Sequence, residues 1–267
     1  MITEFTIEPS RPDETAIILC NGPSLRGFDL KSLPPVTSFG MNVAYRHWDR
    51  IGWYPSHYSC LDEVVGLHHA AAIGAMIERD GRSAPSRFLL RDNLIDHLGG
   101  AARRASVENY DVISESPSPM CRQPVTTGSH TLIWAMTLGY RRIFLLGADS
   151  NYVEVVEGAE FLRETVLHIV RDAANPNYFF DDYQQRGDRY NLPNIGGDTH
   201  LKSWRVAAGV AAELDVQVYN LSPESRSDAF DAADVSDVLA GGSIRVRPRE
   251  MRRLRLRPRA VPGSRAS

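Results

Sequence analysis

The chain has 267 residues, of which 43% are hydrophobic and 24% are charged, a composition that is ordinary for one globular domain. No stretch approaches the ~20 consecutive apolar residues of a membrane-spanning helix, and the first residues lack the basic and then apolar pattern of a secretory signal. Three cysteines without paired short spacing favour neither a disulfide framework nor a zinc site. We therefore expect a cytoplasmic protein with free thiols.

Charge divides the chain into two parts. Residues 243–267 contain nine arginines and one acid, a net charge of +8, and because the whole chain carries −3, residues 1–242 carry −11. An acidic body argues against nucleic-acid binding, which depends on attraction to phosphates. We predict a domain at 1–242 and a tail at 243–267. Because basic and apolar residues alternate in it, the tail could attach peripherally to the inner face of the cytoplasmic membrane; a disordered solubilising arm is the alternative.

Short apolar runs rich in β-forming residues alternate with segments that can form helices. They predict strands at residues 15–20, 36–40, 57–61, 87–90, 142–147 and 216–221. The predicted helices span residues 62–79, 129–138, 159–172 and 200–214. This alternation indicates a single α/β domain with a Rossmann-like parallel sheet and helices on both faces.

A polar segment at residues 175–199 has few aliphatic residues and no clear period. Loops of this length in compact domains are usually functional or disordered. Because Tyr178, Tyr183 and Tyr190 are spread through it, we predict a lid over a site.

The turn Asn21-Gly22-Pro23-Ser24 follows the first predicted strand directly. Open α/β sheets bind ligands at the carboxyl ends of their strands, so a nucleotide or phosphate could lie here, although a simple turn also explains the sequence. The glycine fingerprint of dinucleotide-binding proteins is absent, and so is the Lys-Ser/Thr of a P-loop. A dinucleotide cofactor is not indicated.

Four segments carry a family resemblance. They are Ile17 to Leu25, Gly40-Met-Asn42-Val-Ala-Tyr45, Thr126-Thr127-Gly128-Ser129 with the helix and strand that end in Gly147-Ala-Asp149, and His200-Leu-Lys with the last strand. Together they resemble bacterial lipooligosaccharide-type sialyltransferases, from an opening Asn-Gly-Pro-Ser-Leu to a catalytic His-Ser-Lys. A wider group of glycosyltransferase-like proteins, including flagellin-modifying enzymes, is similar at Asn-Gly-Pro-Ser and Gly-x-Asp.

The resemblance implies a GT-A-like glycosyltransferase that uses a CMP-activated sugar. We expect it to require no metal or other cofactor, because tyrosine hydroxyls could stabilise the leaving phosphate. The transferred sugar would be sialic-acid-like or 3-deoxy-octulosonic acid, and the acceptor a glycan or glycolipid of the cell surface, as in lipopolysaccharide biosynthesis. The implied donor-binding residues are Asn21, Gly22, Pro23, Ser24, Asn42, Asp62, Thr126, Thr127, Gly128, Gly147 and Asp149. The family arginine that precedes Thr-Ser-Gly falls on Pro124, with Arg122 nearby as a substitute.

His200 is the predicted general base. Inverting glycosyl transfer needs a group that takes the proton of the acceptor hydroxyl, and a neutral imidazole suits this near pH 7. His200 stands at a predicted helix start, where the positive end of the helix dipole opposes an imidazolium. A cap or surface histidine is the alternative.

The leaving phosphate needs hydrogen-bond donors or a metal. Tyr152, near the phosphate-contacting tyrosine of the family, and the lid residues Tyr178 and Tyr183 are the predicted donors, with aromatic packing as the alternative for each. Asp149 could bind ribose hydroxyls or cap a helix. The adjacent Asp181-Asp182 is the only acidic pair that suggests a metal-diphosphate contact.

Two other functions stay open. A pterin or nucleotide diphosphokinase-like transferase would need Mg²⁺ and a cluster of carboxylates, which this chain shows only weakly. A non-catalytic nucleotide-sugar-binding or scaffold module would have lost activity, and the presence of His200 with intact Asn-Gly-Pro-Ser and Thr-Thr-Gly-Ser argues against it. The sequence leaves a homo-oligomer open as well.

Overall fold

A computed structural model describes residues 4–8, 11–79, 81–104, 106–193 and 197–249. The strands of this part of the chain are β1 Phe5–Ile7, β2 Thr15–Leu19, β3 Thr37–Met41, β4 His57–Cys60, β5 Arg87–Leu90, β6 Val107–Asn109, β7 Arg142–Leu146, β8 Ala159–Arg163, β9 Val166–Ile169, β10 Arg189–Asn191, β11 Gln217–Asn220, β12 Asp231–Ala233 and β13 Ile244–Arg247. The α-helices are α1 Tyr45–Ile51, α2 Glu63–His68, α3 Ala70–Glu78, α4 Asp92–Leu98, α5 Tyr110–Ile113, α6 Thr127–Thr137, α7 Thr199–Glu213 and α8 Val235–Ala240.

Ten strands form one sheet in the order β1-β13-β12-β11-β7-β2-β3-β4-β5-β6. All neighbours from β12 to β6 are parallel, and β13 and β1 add an antiparallel edge. The chain runs outward from β2 to β6 and then returns to place β7 on the other side of β2. The strand order therefore reverses at β2 and β7, which is where such sheets bind ligands.

The central strands read as continuous apolar runs because both faces of the sheet are covered. In β2, Ile17 and Leu19 pack into one core cluster, and Ala16 and Ile18 pack into the other. The first cluster includes residues of α1 and α3, and the second includes residues of α6 and α7. The predicted parallel sheet with helices on both faces is confirmed.

The predicted helix at residues 159–172 is wrong. This segment forms the hairpin β8–β9, and β10 pairs with β9 to complete a separate three-stranded sheet. Its charged residues fit the composition of a helix, but Leu167 and Ile169 are buried in the main core. Tertiary packing thus overrides the local preference.

Other predicted boundaries shift. The segment 62–79 forms two helices, α2 and α3, separated at His69. The predicted domain also ended too early at residue 242, because β13 lies between β1 and β12 with Ile244 and Val246 buried. The described part of the predicted tail therefore belongs to the folded domain as far as residue 249, and residues 250–267 lie outside the described residues.

Part of the predicted lid forms regular secondary structure. It contains a short 3-10 helix at Asp181–Tyr183 and the strand β10.

No helix within the described ranges is both long and apolar enough to span a bilayer.

Candidate functional site

A cavity of about 460 Å³ lies at the carboxyl edge of the main sheet, where β2 and β7 adjoin. Its volume lies within the range of small-molecule sites, ~300–1,000 Å³. Of the residues predicted to form the site, all except Ser24 line this cavity. Four distant segments of the sequence therefore meet at one point, although their roles stay predictions.

Gly22 and Gly147 let the two strand ends approach each other. The amide of Gly22 donates a hydrogen bond to the carbonyl of Gly147 at 2.9 Å. A Cβ atom on Gly22 would lie 1.9 Å from Asp149 Oδ2, and Gly147 has φ +72 with Cys20 O 2.9 Å from its ideal Cβ position. Only glycine fits at either position.

Ser24 does not line the cavity, but it contacts Asp149, which does. Its amide and its hydroxyl donate hydrogen bonds to Asp149 Oδ2 at 3.1 and 2.9 Å. Burial raises the pKa of Asp149, and the bonds from Ser24 partly oppose that shift. Ser24 is thus placed to position Asp149 rather than to contact a ligand.

Three buried polar atoms among the lining residues have no partner in the described part of the chain. They are the side-chain oxygens of Asn21 and Asn42 and the hydroxyl of Tyr190. Asn42 has φ +52, and it lies immediately after β3. Since a buried polar group is normally hydrogen-bonded, these atoms indicate a polar ligand.

The lid tyrosines have different surroundings. The ring of Tyr183 stacks on Tyr178 with centroids 3.7 Å apart. The Tyr183 hydroxyl accepts hydrogen bonds from Asn21 Nδ2 at 2.9 Å and from the Val43 amide at 3.2 Å. Burial raises the pKa of both phenols well above its ordinary value. Tyr183 thus fastens the lid to the ends of β2 and β3.

His200 lies near the start of α7, as predicted. Its ring stacks on Tyr152 with centroids 4.5 Å apart, and its Nε2 contacts the carbonyl of Pro193. Because a carbonyl only accepts, Nε2 carries the proton and Nδ1 of the neutral ring is an acceptor. Burial lowers the pKa of His200 to about 4, so the ring is neutral at pH 7.

The other side of the cavity is built by helix starts. Thr126 caps α6 by accepting a hydrogen bond from the Ser129 amide, and Thr127 Oγ1 accepts one from the Leu61 amide at 3.3 Å. Gly128 lies against the ring of Trp204. Asp62 caps α2 and accepts a hydrogen bond from Asn191 Nδ2 at 2.9 Å.

Arg46, His69 and Asp188 form a cluster behind the lid that was not predicted from the sequence. Arg46 donates two hydrogen bonds to the carboxylate of Asp188 and one to the carbonyl of Tyr183. His69, which also lines the cavity, contacts the hydroxyl of Tyr45 through Nδ1 at 2.9 Å. No short sequence motif links these residues, because Arg46 and Asp188 are far apart in the chain.

Three charged residues considered from the sequence lie away from the cavity. Asp181 and Asp182 form separate ion pairs with Arg26 and Arg50, so they do not act as a pair. Arg122 pairs with Glu213 and does not line the cavity. Arg189, which was not predicted from the sequence, is the arginine among the described residues that line the cavity.

Within the described ranges, one group of side chains has metal-ligating atoms close together. It consists of His68, His69 and Asp188, with one ligand atom from each within 4.8 Å of one another. The Asp188 carboxylate already accepts hydrogen bonds from Arg46 and the Gln185 amide. A cation would have to displace the guanidinium, so these contacts are those of an ion-pair network.

No protein-family model and no curated protein matches the sequence. Among solved structures, the monofunctional α-2,3-sialyltransferase Cst-I from Campylobacter jejuni aligns at 16% identity and a TM-score of 0.53, over 81% of this chain and 78% of that chain. The sialyltransferase CstII from Campylobacter jejuni, in complex with the substrate analogue CMP-3FNeuAc, aligns at 17% identity and a TM-score of 0.50, over 80% of this chain and 83% of that chain.

The likeness is one of fold. The MAf glycosyltransferase from Magnetospirillum magneticum AMB-1 also aligns, at 15% identity and a TM-score of 0.47, over 84% of this chain and 34% of that chain. The predicted resemblance to sialyltransferases is confirmed at the level of architecture by the two Campylobacter proteins.

Proposed function

We propose that the chain is an inverting glycosyltransferase whose cavity binds a CMP-activated sugar. The transferred group would be sialic acid or a related sugar acid such as 3-deoxy-octulosonic acid, and the acceptor a cell-surface glycan or glycolipid. The meeting of Asn21, Asn42, Asp149 and His200 around one cavity carries this proposal. The CstII neighbour, which is a complex with CMP-3FNeuAc, supports it.

The nucleotide would lie at the ends of β2, β3 and β7. The unpartnered oxygens of Asn21 and Asn42 can accept hydrogen bonds from the cytosine amino group or from ribose hydroxyls. Asp149, held by Ser24, would accept from the ribose. This arrangement supports a nucleoside ligand at the switch point of the sheet.

Arg189 would bind the carboxylate of the transferred sugar acid. Its side chain is exposed, lines the cavity, and forms no ion pair with any residue that the structure describes. A guanidinium is suited to hold a carboxylate through two parallel hydrogen bonds. It would replace the family arginine that this sequence lacks before Thr126.

The chemistry would use His200 and the neighbouring phenols. His200 Nδ1 would take the proton of the acceptor hydroxyl as its oxygen attacks the anomeric carbon and the bond to the CMP phosphate breaks. Burial raises the pKa of both Tyr152 and Tyr178, so both phenols keep their protons at neutral pH and can donate to the leaving phosphate.

The contacts of the lining carboxylates favour this reaction over a diphosphokinase. Such an enzyme would need carboxylates free to hold Mg²⁺. Each of the four lining carboxylates has protein partners: Asp62 caps α2, Glu63 pairs with Arg91, Asp149 binds Ser24 and Asp188 binds Arg46.

A screen of donor turnover tests the proposal. The full chain is incubated with CMP-, UDP- and GDP-activated sugars, and nucleotide release is measured with and without EDTA. We expect release of CMP from a CMP-activated sugar acid, unchanged by EDTA. Faster turnover of UDP- or GDP-sugars, or a requirement for added Mg²⁺, would favour another enzyme, and binding without turnover would favour a non-catalytic module.

A further inference from the structure

A second cavity, of about 470 Å³, lies between the start of α7 and the loop that follows β11. The proposed transfer reaction assigns no role to it. Its lining residues are Leu201, Arg205, Ser225, Arg226, Ser227, Asp228 and Arg249.

The second cavity adjoins the first through short contacts. The hydroxyl of Ser225 donates a hydrogen bond to the carbonyl of Ala148 at 2.6 Å, and the amide of Arg226 donates one to the carbonyl of Asp149 at 2.8 Å. On the other side, Leu201 directly follows His200 in α7. A group bound in the second cavity would therefore lie beside the residues that form the first.

Positive charge prevails among the lining residues. Arg205 is neutralised by Asp228 through two hydrogen bonds of 3.1 and 3.0 Å. The guanidinium of Arg249 instead donates to the carbonyls of Ser222, Ser225 and Ser227, which carry no net charge. Burial lowers the pKa of Arg249, and Arg247 lowers it further, while Asp228 and Asp231 oppose the shift.

Arg226 adds another guanidinium to the lining of the cavity. Its backbone is fixed on Asp149, but its side chain is exposed and forms no hydrogen bond or ion pair with any residue in the described ranges. Among the described residues, neither guanidinium has a carboxylate as hydrogen-bond or ion-pair partner, although Asp228 and Asp231 act on Arg249 through their charge. Arginine side chains in this arrangement are suited to bind a phosphate group through charge-assisted hydrogen bonds.

We propose that the second cavity is a phosphate-binding site and that it holds a phosphate group of the acceptor while the acceptor hydroxyl reaches His200. The anion-binding part of this proposal stands on the contacts of Arg226 and Arg249. The acceptor part rests on the proposed transferase function.

Titration with inorganic phosphate tests the anion site. The melting temperature of the full chain is followed against phosphate concentration, with chloride at matched ionic strength as the reference. We expect phosphate to stabilise the wild type, and Arg226→Gln to raise the apparent Kd about tenfold or more, because it removes charge-assisted hydrogen bonds to the phosphate. Arg103→Gln, which changes an exposed arginine in another region, should leave the Kd unchanged.

Two results would overturn the anion site. One is a phosphate effect that is equal in Arg226→Gln and the wild type. The other is an effect that disappears in Asn21→Ala and persists in Arg226→Gln, which would place the phosphate in the first cavity. Neither result depends on the transfer reaction.

The acceptor part has its own readout. With a phosphorylated and a dephosphorylated glycan as acceptors, Arg226→Gln should raise KM about tenfold for the phosphorylated acceptor only, with kcat unchanged. Phosphate binding that depends on Arg226, combined with equal KM values for the two acceptors, would separate the second cavity from acceptor recognition. Absence of any transfer would instead contradict the proposed function.

Discussion

His200 combines a half-buried, neutral ring with an acceptor nitrogen, Nδ1, that has no hydrogen-bond partner among the described residues. Its Nε2 proton is held by the carbonyl of Pro193, so Nδ1 is the atom that can accept a proton. We expect His200→Ala to lower the transfer rate ~10²–10⁴-fold while leaving the Kd for CMP nearly unchanged, because the base acts on the acceptor. Rates with saturating donor, combined with calorimetry of CMP binding, measure both quantities.

The pH profile is an independent check on His200. Since burial lowers its pKa to about 4, the neutral form that acts as the base predominates throughout the neutral range. The rate should therefore be level from pH 8 to about pH 6 with respect to this group and should fall as pH drops through about 4. Wild-type turnover in His200→Ala would remove the base assignment, whatever the profile.

A side chain at position 22 is excluded by lack of space and not by the backbone dihedral angles of Gly22. A Cβ atom here would lie 1.9 Å from Asp149 Oδ2 and 2.5 Å from the carbonyl oxygen of Gly147. We expect Gly22→Ala to lower the free energy of unfolding by about 1–3 kcal/mol and to weaken CMP binding, because Asp149 must move. Denaturant unfolding and calorimetry provide the two measurements.

Gly209 is the matched control for Gly22. It lies inside α7, and nothing lies within 4 Å of its ideal Cβ position. Gly209→Ala should raise the free energy of unfolding by about 0.5–1 kcal/mol through helix propensity. Equal effects of the two substitutions would contradict the close approach of β2 and β7.

Among the elements, α1 forms a largely buried ion pair with the lid through Arg46 and Asp188. Burial raises the pKa of Asp188, but hydrogen bonds from Arg46 and from the Gln185 amide outweigh it, so the pKa is lowered on folding. The resulting stabilisation is present above the unfolded pKa of about 3.9 and is lost as pH falls through the folded value. Arg46→Met should lower the free energy of unfolding by about 3–5 kcal/mol at pH 7, since it leaves a buried carboxylate unpaired.

Arg50 provides the control for Arg46. It lies on the same helix and pairs with Asp182, but both side chains are 48% exposed, against 17% and 7% for Arg46 and Asp188. Arg50→Met should cost less than about 1 kcal/mol. Adding Asp188→Asn to Arg46→Met should recover part of the loss. No recovery would mean that the unpaired charge is not the cause.

Elements differed in how far the sequence revealed them. Strands β2 and β7 were predictable because both sheet faces are covered and every residue from Ala16 to Leu19 is apolar. The hairpin β8–β9 was not, because β8 leaves Phe161 and Leu162 exposed and its apolar residues do not alternate. The pair of Arg46 with Asp188 was not predictable either, since only the tertiary fold brings these residues together.

In the whole molecule, the basic tail has no role in the proposed transfer reaction, and we predict that it attaches the protein to membranes. Residues 250–267 contain six arginines, and each arginine near an anionic surface contributes ~1 kcal/mol of attraction. We expect the full chain to co-sediment with anionic vesicles at low salt and a variant ending at residue 249 to remain in the supernatant. A variant ending at residue 242 would be unsuitable, because it lacks β13.

One outcome of the vesicle experiment would contradict membrane attachment by the tail. Equal recovery of the full chain and the variant ending at residue 249 would show that the tail does not attach the protein to membranes. Neutral vesicles serve as the control, since screening by salt and loss of lipid charge should both abolish an electrostatic attachment.

We propose CMP as the ligand of the cavity between the ends of β2 and β7. Calorimetric titration of CMP, UDP and GDP into the wild type and Asn42→Gly tests this, because glycine keeps the positive φ of residue 42 while the whole side chain, with its carboxamide, is removed. We predict that CMP binds at least about tenfold more tightly than UDP or GDP, and that Asn42→Gly raises its Kd by about tenfold, the loss of roughly one hydrogen bond. Tighter binding of UDP or GDP, or an unchanged Kd for CMP in Asn42→Gly, would show that the cavity is not a CMP site.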